Sequence, residues 1–202
     1  MKRGQKKRST PDYYAQLAQK EGYPARSVYK LKEIQDKTAI LKKGYSVLDL
    51  GAAPGSWSLF ASRKVGKEGK VHGIDLKEIP PEQERNNLHF SIGDMYDDSC
   101  IDRISGGSRY NVILSDAAPA TTGNRTVDSS RSIALAERAI ELSVKYLLPG
   151  GHLAVKVFQG GDSKALTAAM EKIFTSVKIM KPKACRKESF EVYLVGMERK
   201  RE

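Results

Sequence analysis

The feature that most constrains this chain is the run Val47-Leu48-Asp49-Leu50-Gly51-Ala52-Ala53-Pro54-Gly55-Ser56-Trp57-Ser58. Apolar residues around one acid suit a central parallel strand covered on both faces. Gly51 and Gly55 then allow positive φ and let a ligand come close to the backbone, and Pro54 restricts the loop between them. A helix beginning near Ser56 aims its first free amides over the turn. An α/β sheet holds a nucleotide-like ligand in this way, at the carboxyl end of its first strand.

From Tyr45 onward, strand-like and helix-like segments alternate, as a parallel sheet with helices on both faces requires. Strands are expected at 45–50, 70–75, 88–92, 110–115 and 151–158, and helices at 56–66, 97–104, 129–147 and 162–175. Two more strands, 177–182 and 190–198, follow with only Lys183-Ala184-Cys185-Arg186-Lys187-Glu188-Ser189 between them. A loop that short allows a hairpin but not a parallel crossover. The last strand is therefore expected to run antiparallel at one edge of a seven-stranded, mostly parallel sheet. That trait separates methyltransferase-type sheets from six-stranded dinucleotide-binding ones, and favours S-adenosylmethionine over NAD. The 202 residues fit one such domain, without an internal repeat.

A net charge of +11 implies an anionic partner, with nucleic acid ahead of membrane. Residues 1–10 are too polar to fold alone and read as a flexible basic arm. The domain is expected over 11–202, opening with a helical extension over 11–40. Thr10-Pro11 supplies an N-cap and a first helical position for a helix ending near Gly22. After Pro24, a second helix covers 27–38. Tyr13, Tyr14, Tyr23 and Tyr29 lie among the basic residues here. That mixture suits RNA phosphates and unstacked bases, although packing on the core accounts for any one tyrosine equally well. The only cysteines, Cys100 and Cys185, lack metal-site spacing, so no metal is expected. Free thiols fit a reducing cytoplasm. No apolar run approaches the roughly 20 residues of a membrane span, and no apolar segment follows the basic start as in a secretory signal.

Two acids mark the ligand. Asp75 ends the second strand about 20 residues past the glycine turn, where a carboxylate grips ribose hydroxyls in dinucleotide and adenosylmethionine enzymes alike. Asp94 follows the third strand, where it can accept from an adenine amino group or serve as an ordinary turn residue. Four residues are placed for chemistry. Asp116 ends Val112-Ile113-Leu114-Ser115, at the mouth of the ligand crevice. Lys156 interrupts an apolar strand near the same end, where lysine seldom lies without a partner; a snorkelling edge lysine is the competing reading. Glu191 starts the antiparallel strand, which brings it to the same end, and Lys30 comes from the extension. If these four converge, they can deprotonate an alcohol. A lysine base must be neutral, which requires a fall from about 10.4 toward 7–8. Asp116-Ala117-Ala118-Pro119 lacks the aromatic of base-amine methylases, and neither cysteine is placed as a pyrimidine-carbon nucleophile.

DLGAAPGSWS, LSDAAP, VKVFQG and FEVYLV, with YKLKEI upstream, together resemble the FtsJ/RlmE (RrmJ) family, from about Ser27 to the C-terminus. The resemblance implies a Rossmann-like class I S-adenosylmethionine-dependent methyltransferase acting on a ribose 2′-hydroxyl of large-subunit ribosomal RNA. It implies a uridine of the A-loop as target, within the assembled large subunit. The family's catalytic Lys-Asp-Lys-Glu set falls on Lys30, Asp116, Lys156 and Glu191. Its adenosylmethionine contacts fall on Gly55, Trp57, Asp75, Asp94 and Asp116. Ser56 departs from the family's usual glycine. A monomer in the cytoplasm is expected. Two other readings stand beside this one: a non-catalytic RNA-binding assembly factor, and an NAD-dependent oxidoreductase, which leaves Lys156, Glu191 and the basic arm without a role.

Overall fold

The computed structural model describes residues 12–120, 122–159, 163–186 and 188–201. Two helices, α1 (Tyr13–Lys20) and α2 (Val28–Thr38), precede the alternating part of the chain. There follow β1 (Ser46–Leu50), α3 (Ser56–Val65), β2 (Lys70–Asp75), a 3₁₀ turn (Pro81–Gln83), β3 (Leu88–Ile92) and α4 (Asp98–Ser105). The remainder is β4 (Tyr110–Ser115), α5 (Arg125–Tyr146), β5 (Leu147–Phe158), α6 (Ser163–Ile173), β6 (Phe174–Met180) and β7 (Glu191–Arg199). The arm 1–10 and the expected Thr10-Pro11 cap fall outside the described residues. α1 follows Asp12, whose carboxylate pairs with Arg26 instead of capping the helix.

The seven strands lie in the order β3-β2-β1-β4-β5-β7-β6. β7 is antiparallel to both its neighbours, and the other pairings are parallel. The expected direction of the last strand is thus found, but its expected edge position is not. β7 fills a one-strand gap between β5 and β6, and β6 is the edge. The side chains explain the exchange. Val192, Tyr193, Leu194 and Val195 are all buried, as a strand paired on both sides and covered on both faces requires. Thr175, Ser176, Lys178 and Ile179 of β6 are exposed, and a polar, lysine-bearing strand suits an edge.

The core lies on both faces of the sheet. Val47, Val112, Leu114, Tyr193 and Val195 pack with Ala18, Val28, Leu31, Ile34 and Phe60 of α1–α3 on one face. Leu48, Leu50, Ile113, Val155 and Leu194 pack with Ile101, Ala136, Ile140 and Leu166 of α4–α6 on the other. The extension is therefore part of the domain's core. Leu31 and Ile34 are fully buried, each contributing about 1.5–3 kcal/mol. Tyr29 is buried, and Tyr14 and Tyr23 pack beside it. Tyr13, 67% exposed, is the one tyrosine of the four left largely to solvent. Strand order reverses between β1 and β4, which opens a crevice at their carboxyl ends.

Candidate active site

The glycine turn takes the conformations its residues allow. Gly51 has φ +72° and Gly55 φ +99°. Gly51 N donates to Ile74 O at 2.9 Å, and a Cβ on Gly51 would lie 2.7 Å from that of Ala117. The turn is thereby pressed against the loop after β4, and Gly55 sits at the head of α3.

Above this turn lies a cavity of about 630 Å³ whose walls include Gly51, Ala53, Asp75, Asp94, Met95 and Asp116. The Asp75 carboxylate accepts from the amides of Ala53 and Lys77, both at 2.9 Å. Asp94 accepts from Tyr96 N at 2.9 Å, so it is a turn residue and a wall residue together. Each carboxylate keeps free lone pairs for a ligand. The loop after β3 is braced from outside: Arg138 Nε donates to Met95 O at 2.8 Å, while its guanidinium pairs with Asp98.

The four reacting candidates form two ion pairs. Lys156 Nζ donates to Asp116 O at 2.6 Å and lies 3.1 Å from Asp116 Oδ1. Lys30 Nζ lies 2.7 Å from Glu191 Oε1. Lys156 is only 6% exposed and is paired with Asp116, so it does not snorkel. Tyr193, which the sequence reading passed over as an apolar strand residue, joins the pairs. Its hydroxyl donates to Asp116 Oδ1 at 2.7 Å, and its ring centroid is 5.8 Å from Lys30 Nζ. Burial, reinforced by Asp116 and Glu191, holds the Tyr193 hydroxyl well above its ordinary range, so it stays a donor. Cys185 is buried beside Glu191; burial first, and Glu191 next, push its thiol up to about 12.

A second cleft, of about 430 Å³, is lined by the Lys30–Glu191 pair together with Arg26, Ser27, Arg186 and Glu188, three cations against two carboxylates. Asp116 thus faces an acidic cavity and Lys30–Glu191 faces a cationic cleft.

Gly55 and Trp57 are not among the residues lining the first cavity. The Trp57 ring is 2% exposed. Its Nε1 donates to Ser27 O at 2.9 Å, and it packs against Tyr193 with centroids 5.6 Å apart. The Trp57 side chain is thus committed to Ser27 and Tyr193 and does not line the cavity. Ser56, one residue earlier, is buried, and its Oγ accepts from Ala25 N at 2.8 Å. Successive residues of α3 thus hold Ala25 and Ser27, at the wall of the cationic cleft. Asp49 is a further residue that pattern reading passed over. It is buried, accepts from Ser58 Oγ at 2.5 Å, and has its carboxyl pushed up to about 7. Burial is the main cause, Asp116 and Asp75 add to it, and the Ser58 hydrogen bond opposes it.

The strand order, with an antiparallel last strand seated between β5 and β6 over a glycine-turn cavity, defines a Rossmann-like methyltransferase domain. The chain belongs to the FtsJ-like methyltransferase family, whose model matches residues 23–199. It is 44% identical over 192 residues to the ribosomal RNA large subunit methyltransferase E of Treponema denticola, covering 95% of this chain and 96% of that one. It is 46% identical over 198 residues to the protein of the same name from Desulfosudis oleivorans, covering 96% and 94%. A crystal structure from Plasmodium falciparum, described as a ribosomal RNA methyltransferase, superposes with a TM-score of 0.77 at 30% identity, covering 88% of this chain and 98% of that one. Among the described residues no helix is long and apolar enough to cross a membrane, and no group of candidate metal ligands is found.

Proposed function

We propose that this methyltransferase transfers a methyl group from S-adenosylmethionine to the 2′-hydroxyl of an A-loop uridine in large-subunit ribosomal RNA. It does so on the assembled subunit, as a cytoplasmic monomer. The observation that carries the reading is the pair of ion pairs, one bordering an acidic cavity and the other a cationic cleft.

The cavity fits the methyl donor. Asp75, Asp94 and Asp116 face it against the single cation Lys77. Three carboxylates suit a ligand bearing ribose hydroxyls, amino groups and a sulfonium, and they repel a pyrophosphate, which disfavours NAD. Asp75 would hold the ribose, Asp94 the adenine amino group, and Asp116 the far end near the reacting atoms. The backbone of Gly55 and Trp57 would contribute from the head of α3. The donor supplies an electrophilic methyl.

The protein's own part is proton removal and orientation. A neutral Lys156 amine has two N–H bonds and one lone pair. Asp116 O and Oδ1 take the two hydrogens, which leaves the lone pair for the 2′-hydroxyl proton. Lys30, fixed by Glu191 and Tyr193, would steady the oxygen as it gains negative character. The cationic cleft supplies the phosphate contacts that align the nucleotide.

The test is transfer of labelled methyl from S-adenosylmethionine to large subunits lacking the modification. Label on a single uridine ribose supports the reading. Cofactor-dependent binding to the subunit without any transfer would support an assembly factor instead.

A further inference from the structure

In the proposed function the cleft already described takes RNA from the side of Lys30. Beside the ion pairs stands a second feature that proton transfer does not use. Phe190 directly precedes Glu191, and its ring is half-buried. One side of the ring is packed by Phe158, edge-on at a centroid distance of 4.8 Å. The Arg125 guanidinium covers it from 4.9 Å. Phe190 is absent from the lining of the Lys30 cleft, although Glu188, Ser189 and Glu191 all belong to it.

We infer that Phe190 and Arg125 form a nucleobase subsite, on which a base of the RNA strand carrying the target ribose stacks. The inference rests on the reading of this site as an RNA 2′-O-methyltransferase. Among the described residues, no carboxylate pairs with Arg125. An exposed cation lying on an aromatic face, with no acid to hold it, occupies the space a base takes in single-stranded RNA recognition. With RNA bound, the guanidinium pairs with an adjoining phosphate whether or not a ring lies beneath it, which leaves the Phe190 face to the base.

The parts are mounted rigidly. Asn124 Oδ1 accepts from Thr126 N at 3.0 Å and Val127 N at 3.3 Å, and so caps α5 beneath Arg125. The Asp128 carboxylate accepts from the amides of Thr122 and Gly123. Phe158 N donates to the buried Ser132 Oγ at 3.0 Å, and Gln159 N to Phe190 O at 2.8 Å. A platform fixed to α5, β5 and β7 places a stacked base in a set relation to Lys156 and Glu191. The gain is orientation at the reacting centre.

The experiment compares wild type with Phe190→Ala, Phe190→Leu, Phe190→Trp and Arg125→Ala, using large subunits lacking the modification and S-adenosylmethionine. Leucine keeps the packing on Phe158 and removes only the π-face, which guards against a folding defect. Phe190→Ala and Phe190→Leu are expected to raise the KM for subunits roughly 10- to 100-fold, with cofactor affinity unchanged. Phe190→Trp restores it. Loss of stacking leaves the slope of log affinity against log salt as in wild type, whereas Arg125→Ala lowers that slope by about one. An active wild type whose KM is unmoved by Phe190→Leu, or a Phe190→Leu variant whose salt slope falls, overturns the subsite. An inactive wild type instead overturns the reading on which it rests.

Discussion

Lys30 and Glu191 come from opposite ends of the chain and meet at 2.7 Å. Lys30 stands on a helix that precedes the sheet, and Glu191 on the first residue of its last strand. Each side chain is only about a tenth exposed, so neither charge is well solvated without the other. Glu191→Gln keeps the shape and removes the counter-charge. Methyl transfer is expected to fall by about 10²-fold or more, with cofactor affinity kept. Single-turnover assays beside cofactor calorimetry check this; full activity in the variant would remove Glu191 from the machinery.

Ser56 ties the head of α3 to Ala25 N, next in the chain to Arg26 on the wall of the cationic cleft. Ser56→Ala leaves that amide without its partner and is expected to cost about 1–3 kcal/mol of stability. Arg26 and Lys30 lie just beyond it in the chain, so the KM for subunits should rise several-fold while cofactor affinity stays level. Denaturant melts and a KM comparison for the two substrates read both effects.

Asp49 makes stability depend on pH. Its pKa is raised by folding from the ordinary carboxylate range to about 7. The folded state therefore binds its proton more tightly than the unfolded state. The resulting stabilisation is complete below about pH 4 and is lost as pH rises through about 7. Asp49→Asn should lack that loss. The stability difference between variant and wild type is expected to move in the variant's favour from pH 4.5 to pH 8, as read by urea unfolding at each pH. A constant difference would mean that Asp49 is ionised throughout.

Arg138 never reaches the cavity, yet its Nε holds Met95 O, and Met95 lines it beside Asp94. Arg138→Ala should raise the cofactor KM about 10-fold, the worth of a charged hydrogen bond, with kcat unchanged. Arg138→Lys should not restore it, because lysine cannot hold Met95 O and Asp98 in a fork. Steady-state kinetics with varied S-adenosylmethionine separate the two constants.

Much of this architecture is legible in the sequence because strand direction, glycine turns and charged strand ends leave local marks. The hairpin loop before β7 fixes that strand as antiparallel. Which gap it enters depends on where β6 lands after α6, which no local pattern states. One clue was present: the unbroken apolar run at 192–195 asks for two neighbours, and the polar face of β6 does not. Asp116, Lys156 and Glu191 stand out because charges in or at the ends of apolar strands need partners, whereas Lys30, on a helix, carries no such local mark. Tyr193 and Trp57 do not stand out, since a buried aromatic and one with a working polar tip look alike until their neighbours are known. Ser56 and Asp49 act through hydrogen bonds to segments distant in the chain or buried beneath the turn, and spacing along the sequence carries no sign of either.

Removal of one ribose hydroxyl proton of large-subunit ribosomal RNA by Lys156 is the step on which the proposed function turns. Its most direct test is to map ribose methylation of that RNA from cells lacking this protein, complemented with either wild type or Lys156→Ala. One A-loop uridine is expected to be unmethylated without the protein, to regain its 2′-O-methyl group with wild type, and to stay unmethylated with Lys156→Ala. Methylation restored in full by Lys156→Ala would contradict it.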